Sequence, residues 1–206
     1  LNMPNNNERS LMALLWEMDG VSGPEIVYSS LFEQCDEPYP VSTIVFPGTN
    51  GKVVLISSGD SRRRYMHYRL IGHSNDSVTT LWAQDYVPEG KLGINNGVLE
   101  QSNQDNTLVS YIVPYKTNNA GEFFLPVESI KVRVGEQILL VGDDTSGQLK
   151  VSSEKGMIRK IDNSDLIYDS GHNLAFQAFN KGEDTLSFIS GENRSYQKLL
   201  SVLIMD

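Results

Sequence analysis

Ile130-Lys131-Val132-Arg133-Val134-Gly135-Glu136-Gln137-Ile138-Leu139-Leu140-Val141 spells two strands and a bend. Ile130, Val132 and Val134 alternate with Lys131 and Arg133, the two-residue period of a strand with one buried face. Gly135 offers backbone freedom where a tight hairpin needs it, and Gln137 to Val141 reads as the next strand. Further strands are expected at Gln148 to Val151, Met157 to Ile161, Asn173 to Phe179, Thr185 to Ile189 and Gln197 to Ile204. Short strands at intervals of about ten residues are the pattern of an antiparallel sandwich.

The earlier part of the chain carries the same punctuation. Val53 to Ile56, Tyr65 to Ile71, Val78 to Ala83 and Leu108 to Val113 are rich in β-branched and aromatic residues and read as strands. Ser58-Gly59-Asp60, Ser74-Asn75-Asp76 and Gly142-Asp143-Asp144 read as turns. Asn96-Gly97, between Leu92-Gly93-Ile94 and Val98-Leu99, is a two-residue hairpin signal. Ser10 to Met18 fits either a helix or a strand, since both bury its leucines; the strand is preferred because the segment runs on through a Gly-rich turn to Ile26-Val27-Tyr28. Pro126 opens a change of style, which divides the chain into an antiparallel β domain over 1–125 and a sandwich over 126–206.

At 206 residues the chain buries a real core, and its formal charge of −9 repels phosphate backbones. Residues 1–125 hold 8 Lys and Arg against 14 Asp and Glu, and 126–206 hold 9 against 12, so neither half is a basic nucleic-acid module. No apolar run approaches the roughly 18–20 residues of a membrane-spanning helix. The start, Leu1-Asn2-Met3-Pro4-Asn5-Asn6-Asn7, reads as a polar leader from which any signal peptide or lipid anchor lies upstream.

The stretch Val132 to Ile138, with Val151-Ser152-Ser153 and Phe176 to Phe188, resembles bacterial immunoglobulin-like domains over about 75 residues. Phe176 and Phe179 are bulkier than that pattern, and Asp162-Asn163-Ser164-Asp165 looks inserted. The resemblance implies an immunoglobulin-like β-sandwich at a bacterial surface. Leu15 to Tyr28 is similar to the strand-loop-strand segment of FG-GAP-type repeats of bacterial surface proteins, a family that holds calcium there. That likeness implies calcium ligands at Glu17, Asp19 and Glu25; Val21 replaces the central acid and Ser22 a glycine, which lowers the implied affinity.

Catalytic signatures are sparse. Gly72-His73-Ser74-Asn75-Asp76 lacks the second glycine of a nucleophile elbow, and His67, His73 and His172 form no two-histidine helical pair. Cys35, the one cysteine, is followed by Asp36 and Glu37, which oppose a thiolate and mark it as a packing residue. His67 alternates with Tyr65 and Arg69 and is read as a surface histidine. Trp16, Trp82 and Tyr86 fit either a sugar-stacking shelf or the core. Arg62, Arg63, Arg64, Tyr65 and Arg69 form the best local candidate for a ligand site, because planar guanidinium forks beside aromatic faces suit a carboxylate, a sulfate or an acidic partner.

These readings point to a mainly β, two-domain protein that binds or scaffolds without catalysis, secreted or attached to a bacterial cell envelope, with protein or carbohydrate as partner. No nucleic acid, no membrane span and no cofactor are expected, apart from calcium at the acidic loop. Two alternatives stay open: a carbohydrate-active enzyme or accessory module using paired carboxylates, and a subunit of a surface fibre or phage-like assembly pairing through a sheet edge.

Overall fold

The apolar run Ile138-Leu139-Leu140-Val141 alternates between two hydrophobic clusters: Ile138 and Leu140 pack in one, Leu139 and Val141 in the other. A strand apolar on both faces belongs in a middle layer, and burying each such side chain is worth about 1.5–3 kcal/mol. The fold is organised around that layer. A computed structural model describes residues 11–19, 23–47, 51–60, 64–74, 77–102, 109–118, 122–143, 149–162, 173–190 and 196–206.

All regular elements among the described residues are strands. In chain order they are β1 (Leu11–Asp19), β2 (Gly23–Phe32), β3 (Glu37–Pro38), β4 (Ser42–Val45), β5 (Lys52–Asp60) and β6 (Tyr65–Ser74). There follow β7 (Ser77–Pro88), β8 (Lys91–Asn95), β9 (Val98–Ser102), β10 (Val109–Thr117), β11 (Phe123–Phe124) and β12 (Ser129–Arg133). The last six are β13 (Gln137–Asp143), β14 (Lys150–Ser153), β15 (Ile158–Ile161), β16 (Leu174–Ala178), β17 (Gly182–Ser190) and β18 (Tyr196–Met205). The segment that fits helix or strand is therefore a strand, β1.

Four sheets result. The central one runs β15-β16-β13-β10-β9-β8 with β11 on β10; one face packs on β12-β18-β17-β14, the other on an outer sheet β3-β5-β6-β7 with β4 on β5. The β1-β2 hairpin covers the far face of the outer sheet through Leu11, Ala13, Leu15 and Phe32 over Ile56 and Ile71. Polar ties cross between layers: the Tyr68 hydroxyl accepts from Trp82 Nε1 at 2.9 Å and reaches the side-chain carbonyls of Gln84 on its own sheet and of Gln101 on the central one.

Residues on either side of 125/126 meet in the central sheet. β10 and β13 run parallel from Ser110 opposite Gln137 to Lys116 opposite Asp143. Val113, Tyr115, Phe123 and Leu125 share one cluster with Ile138, Leu186 and Val202. The close approach uses Gly142, where a Cβ would stand 2.3 Å from the Tyr115 carbonyl oxygen.

Two local expectations change. Gly135, at φ +91°, does turn the chain, but not into a hairpin: β12 pairs in parallel with β18 while β13 enters the central sheet. The bend is held by Arg133 N–H donating to Glu136 Oε2 and by Gln177 Nε2 donating to the Gly135 carbonyl. Ser58-Gly59-Asp60 lies within β5 rather than in a turn; Gly59 is there because a Cβ would stand 2.6 Å from the Tyr39 hydroxyl. The Asn96-Gly97 hairpin forms as read, with φ +48° and +83°, the positive pair that a type I′ turn requires.

Candidate functional site

The end of the outer sheet where β5 finishes, β6 begins and β7 turns into β8 carries a groove of about 370 Å³. Its polar lining is Glu37, Asp60, Glu89, Arg64 and Lys91, and its rings are Tyr39 and Tyr65. The backbone here is held in unusual angles: Arg64 at φ +57° and Glu89 at +47°, with Tyr86 beside them at +59°. Left-handed angles cost a non-glycine residue about 1–2 kcal/mol, and such strain gathers at functional sites. Tight hydrogen bonds impose it, Arg64 N–H to the Asp60 carbonyl at 2.8 Å and Glu89 N–H to the Arg64 carbonyl at 2.6 Å. The Arg64 guanidinium then closes an exposed ion pair with Glu89 at 3.1 Å. Burial, reinforced by the Glu37 charge, pushes the Tyr39 phenol up.

Next to the groove stands a second arrangement. The β6–β7 register slips between Met66 and Tyr68, and a bulge of this kind re-aims side chains. Here the Asp85 carboxylate accepts from His67 Nδ1 at 3.0 Å and takes both Arg69 nitrogens, at 2.9 and 3.1 Å. The hydrogen bond from His67 lowers the Asp85 carboxyl below its ordinary value, burial opposes this, and the Arg69 bonds and charge add to the lowering. An ionised carboxylate only accepts, so Nδ1 carries the proton. Tyr86 lies edge-on to the His67 ring at 4.7 Å and to Tyr65 at 5.9 Å, linking the two arrangements. Arg69 also lies over the Phe32 ring at 5.2 Å.

His67 is 2% exposed, so the surface reading is corrected: the β1-β2 layer and the chain following it fold over this face of β6. His67 Nε2 is buried without a hydrogen-bond partner. Ser58 is the residue directly opposite His67 on β5. Its hydroxyl donates to the Glu37 carbonyl at 3.1 Å and shares a hydrogen bond with the fully buried Cys35. Burial pushes the Cys35 thiol up; the Ser58 bond opposes this, and the charges of Asp60, Asp85 and Asp36 reinforce it.

The arginine cluster does not act as one patch among the described residues. Arg64 and Tyr65 line the groove, Arg69 is committed to Asp85 on the covered face, and Arg62 and Arg63 lie outside the described residues. Of the calcium candidates, Glu17 stands opposite the exposed Glu25, and Asp19 opposite Gly23, along the β1–β2 ladder. The side chains of Glu17 and Asp19, like that of Trp16, lie outside the description. Among the described residues no group of three or more His, Cys, Asp and Glu side chains is placed to hold a metal ion. Trp82 is core and Tyr86 half exposed, so these two make no continuous shelf.

Glu37, Tyr39 and Lys91 carry no signal in the sequence around the arginines and come to the groove from other segments. Asp60 and Glu89 are readable as acids that balance those arginines, and Glu89 does pair with Arg64. No protein-family model matches the chain, and no curated protein matches it either.

Proposed function

We propose that the protein is a noncatalytic binding protein of the cell surface or secreted fraction, and that the groove at the end of the outer sheet takes a carbohydrate. The observation that carries this reading is the convergence of carboxylates and tyrosine rings on a strained, hydrogen-bonded backbone. Carboxylates accept from sugar hydroxyls, Lys91 donates to ring and glycosidic oxygens, and tyrosine faces cover the apolar side of a pyranose. Three carboxylates against two cations, one of them already on Glu89, favour a neutral saccharide over the acidic ligand read from the arginines alone.

The immunoglobulin-like reading of 126–206 is supported by strand order. β12-β18-β17-β14 faces β15-β16-β13, the arrangement of an immunoglobulin-type sandwich whose first strand pairs in parallel with its last. Such a body is a support on which a strand-end groove is displayed.

Saturation-transfer NMR and calorimetry with a panel of neutral oligosaccharides test the proposal. Binding is expected to perturb Tyr65 and Tyr39, to weaken at least about tenfold in Tyr65→Ala and Glu37→Gln, and to leave the saccharide intact. A panel without a binder, or binding indifferent to both substitutions, defeats the groove assignment. Cleavage of the saccharide defeats the noncatalytic one.

A further inference from the structure

We infer that the slot between the β1-β2 hairpin and the outer sheet is a binding site for a small monocarboxylate with an apolar body, distinct from the saccharide groove. It lies at the opposite end of the outer sheet, where β5 begins, β6 ends and β7 begins, and encloses about 190 Å³. The two-residue period of the strands explains its lining. On β6, Ile71 and His73 share the face turned to the hairpin; Val54 stands opposite Ile71 on β5, and Val78 opposite His73 on β7. Val54, Ile71 and Val78 make the floor, and Leu15 and Val27 of the hairpin make the roof.

The two layers are tied together without closing the slot. Leu11, Ala13 and Leu15 pack on the sheet in alternation, and the hydroxyls of Tyr28 and Thr80 share a hydrogen bond of 2.7 Å. Directly after Leu15 the β1–β2 register slips, and such a bulge bends its strand. Close-packed interiors leave few gaps of this size, and an apolar cavity of about 150 Å³ is room enough for one benzene ring. The slot therefore suits a body of about six to eight carbons. Its aliphatic walls could not satisfy the hydroxyls of a sugar.

Charge at the mouth selects the other end of the ligand. Lys52 is two residues before Val54 and His73 two after Ile71, so antiparallel pairing carries both to the same end of the slot. Both residues are exposed. Among the described residues no carboxylate lines the slot, although Asp and Glu outnumber Lys and Arg by 26 to 17 over the chain. An ammonium and an imidazole N–H both donate to a carboxylate, and the bond from the ammonium is charge-assisted.

The unmodified protein, with its Ile, Leu and Val methyl groups 13C-labelled, is titrated with phenylacetate, octanoate, dodecanoate and the neutral phenylacetamide. Phenylacetate and octanoate are expected to shift the methyl resonances of Val27, Val54, Ile71 and Val78 saturably, and to leave those of Leu186 and Val202, in the cluster on the other side of the central sheet, unmoved. Phenylacetamide is expected to bind about three- to tenfold more weakly than phenylacetate, and Lys52→Met to lose most of that preference. Dodecanoate is expected to bind no more tightly than octanoate, because its further carbons lie outside the slot. Absence of saturable shifts in the slot, equal affinity for phenylacetate and its amide, or a preference undiminished in Lys52→Met overturns the proposal. Tightening toward about fourfold per added methylene up to dodecanoate also overturns it and marks a long-chain lipid instead. The titration of the unmodified protein needs no variant, and because the slot shares no residue with the saccharide groove, its failure leaves that reading standing.

Discussion

Ser153 Oγ donates to Asp184 Oδ2 at 2.6 Å, joining β14 to β17 through a carboxylate only 3% exposed. Asp184 also accepts the backbone N–H groups of Lys155, Met157, Ile158 and Thr185 at 2.7–3.1 Å. One side chain thereby satisfies the backbone that leads from β14 to β15.

Replacing Asp184 with Ala leaves the buried Ile158 N–H and the part-buried donors around it without their acceptor, and is expected to cost about 2–3 kcal/mol in denaturant unfolding. Burial by itself would raise the Asp184 pKa, but the bonds from Ser153, Lys155, Thr185 and Ile158 outweigh it and hold the carboxyl below its ordinary value of about 3.9. A folded-state pKa lower than the unfolded one means stability present above about pH 4 and lost as pH falls through the folded value. Asp184→Asn should flatten that acid limb of the stability curve; an unchanged limb would show that other carboxylates produce it.

Much of this was readable in the sequence, because local periodicity and turn chemistry are properties of neighbouring residues. The alternation around Val132, the Asn96-Gly97 turn and the faces shared by Tyr65, His67 and Arg69 were all legible. Pairing partners were not. A glycine at positive φ serves a hairpin and a crossing between sheets equally well, so Gly135 carried no information about which strand lies beside Ile138. The covered face of β6 that carries Arg69 and Ile71 owes its cover to Phe32 and Cys35, more than thirty residues earlier in the chain. Of the groove, Arg64 and Tyr65 were visible; Glu37, Tyr39 and Lys91 reach it only through long-range pairing.

Arg64 and Arg69 belong to one sequence cluster and are expected to respond differently to substitution. The Arg64 side chain is 71% exposed in its pair with Glu89, so Arg64→Ala should change stability by no more than about 0.5 kcal/mol. Arg69 is 13% exposed, forks onto Asp85 and covers Phe32, so Arg69→Ala should cost about 2 kcal/mol. Arg69→Lys should recover only part of this, since an ammonium cannot fork. Thermal melts of the three variants decide it, and equal losses at both positions would contradict the arrangement.

Two glycines on strands of the central sheet separate steric need from chance. A Cβ at Gly142 meets the Tyr115 carbonyl oxygen at 2.3 Å and its ring at 2.8 Å, whereas one at Gly93 meets nothing within 4 Å. Gly142→Ala must push β10 from β13 and is expected to cost about 3 kcal/mol. Gly93→Ala should be neutral or stabilise by up to about 1 kcal/mol through the unfolded chain. Calorimetric midpoints of both variants measure the difference.

The shared sheet makes a sharper prediction about cutting the chain at 125/126. The fragment 126–206 keeps β13 but loses β10 from its edge, along with Val98, Val113, Tyr115, Phe123 and Leu125 from the cluster around Ile138. At about 1.5–3 kcal/mol per buried side chain, five such losses match the 5–15 kcal/mol or so that stabilises an entire domain. The isolated fragment is therefore expected to show poorly dispersed NMR spectra and to bind hydrophobic dyes, while the full chain unfolds in one cooperative transition. Adding residues 91–125 back in the same chain restores the edge beside β13 and the cluster around Ile138, but leaves Leu99, Ile112, Leu139 and Val141 without the outer sheet, so full dispersion is expected only when β4 to β7 are present as well. A fragment 126–206 that folds cooperatively alone would mean that β10 leans on a finished sandwich and contributes nothing essential to it.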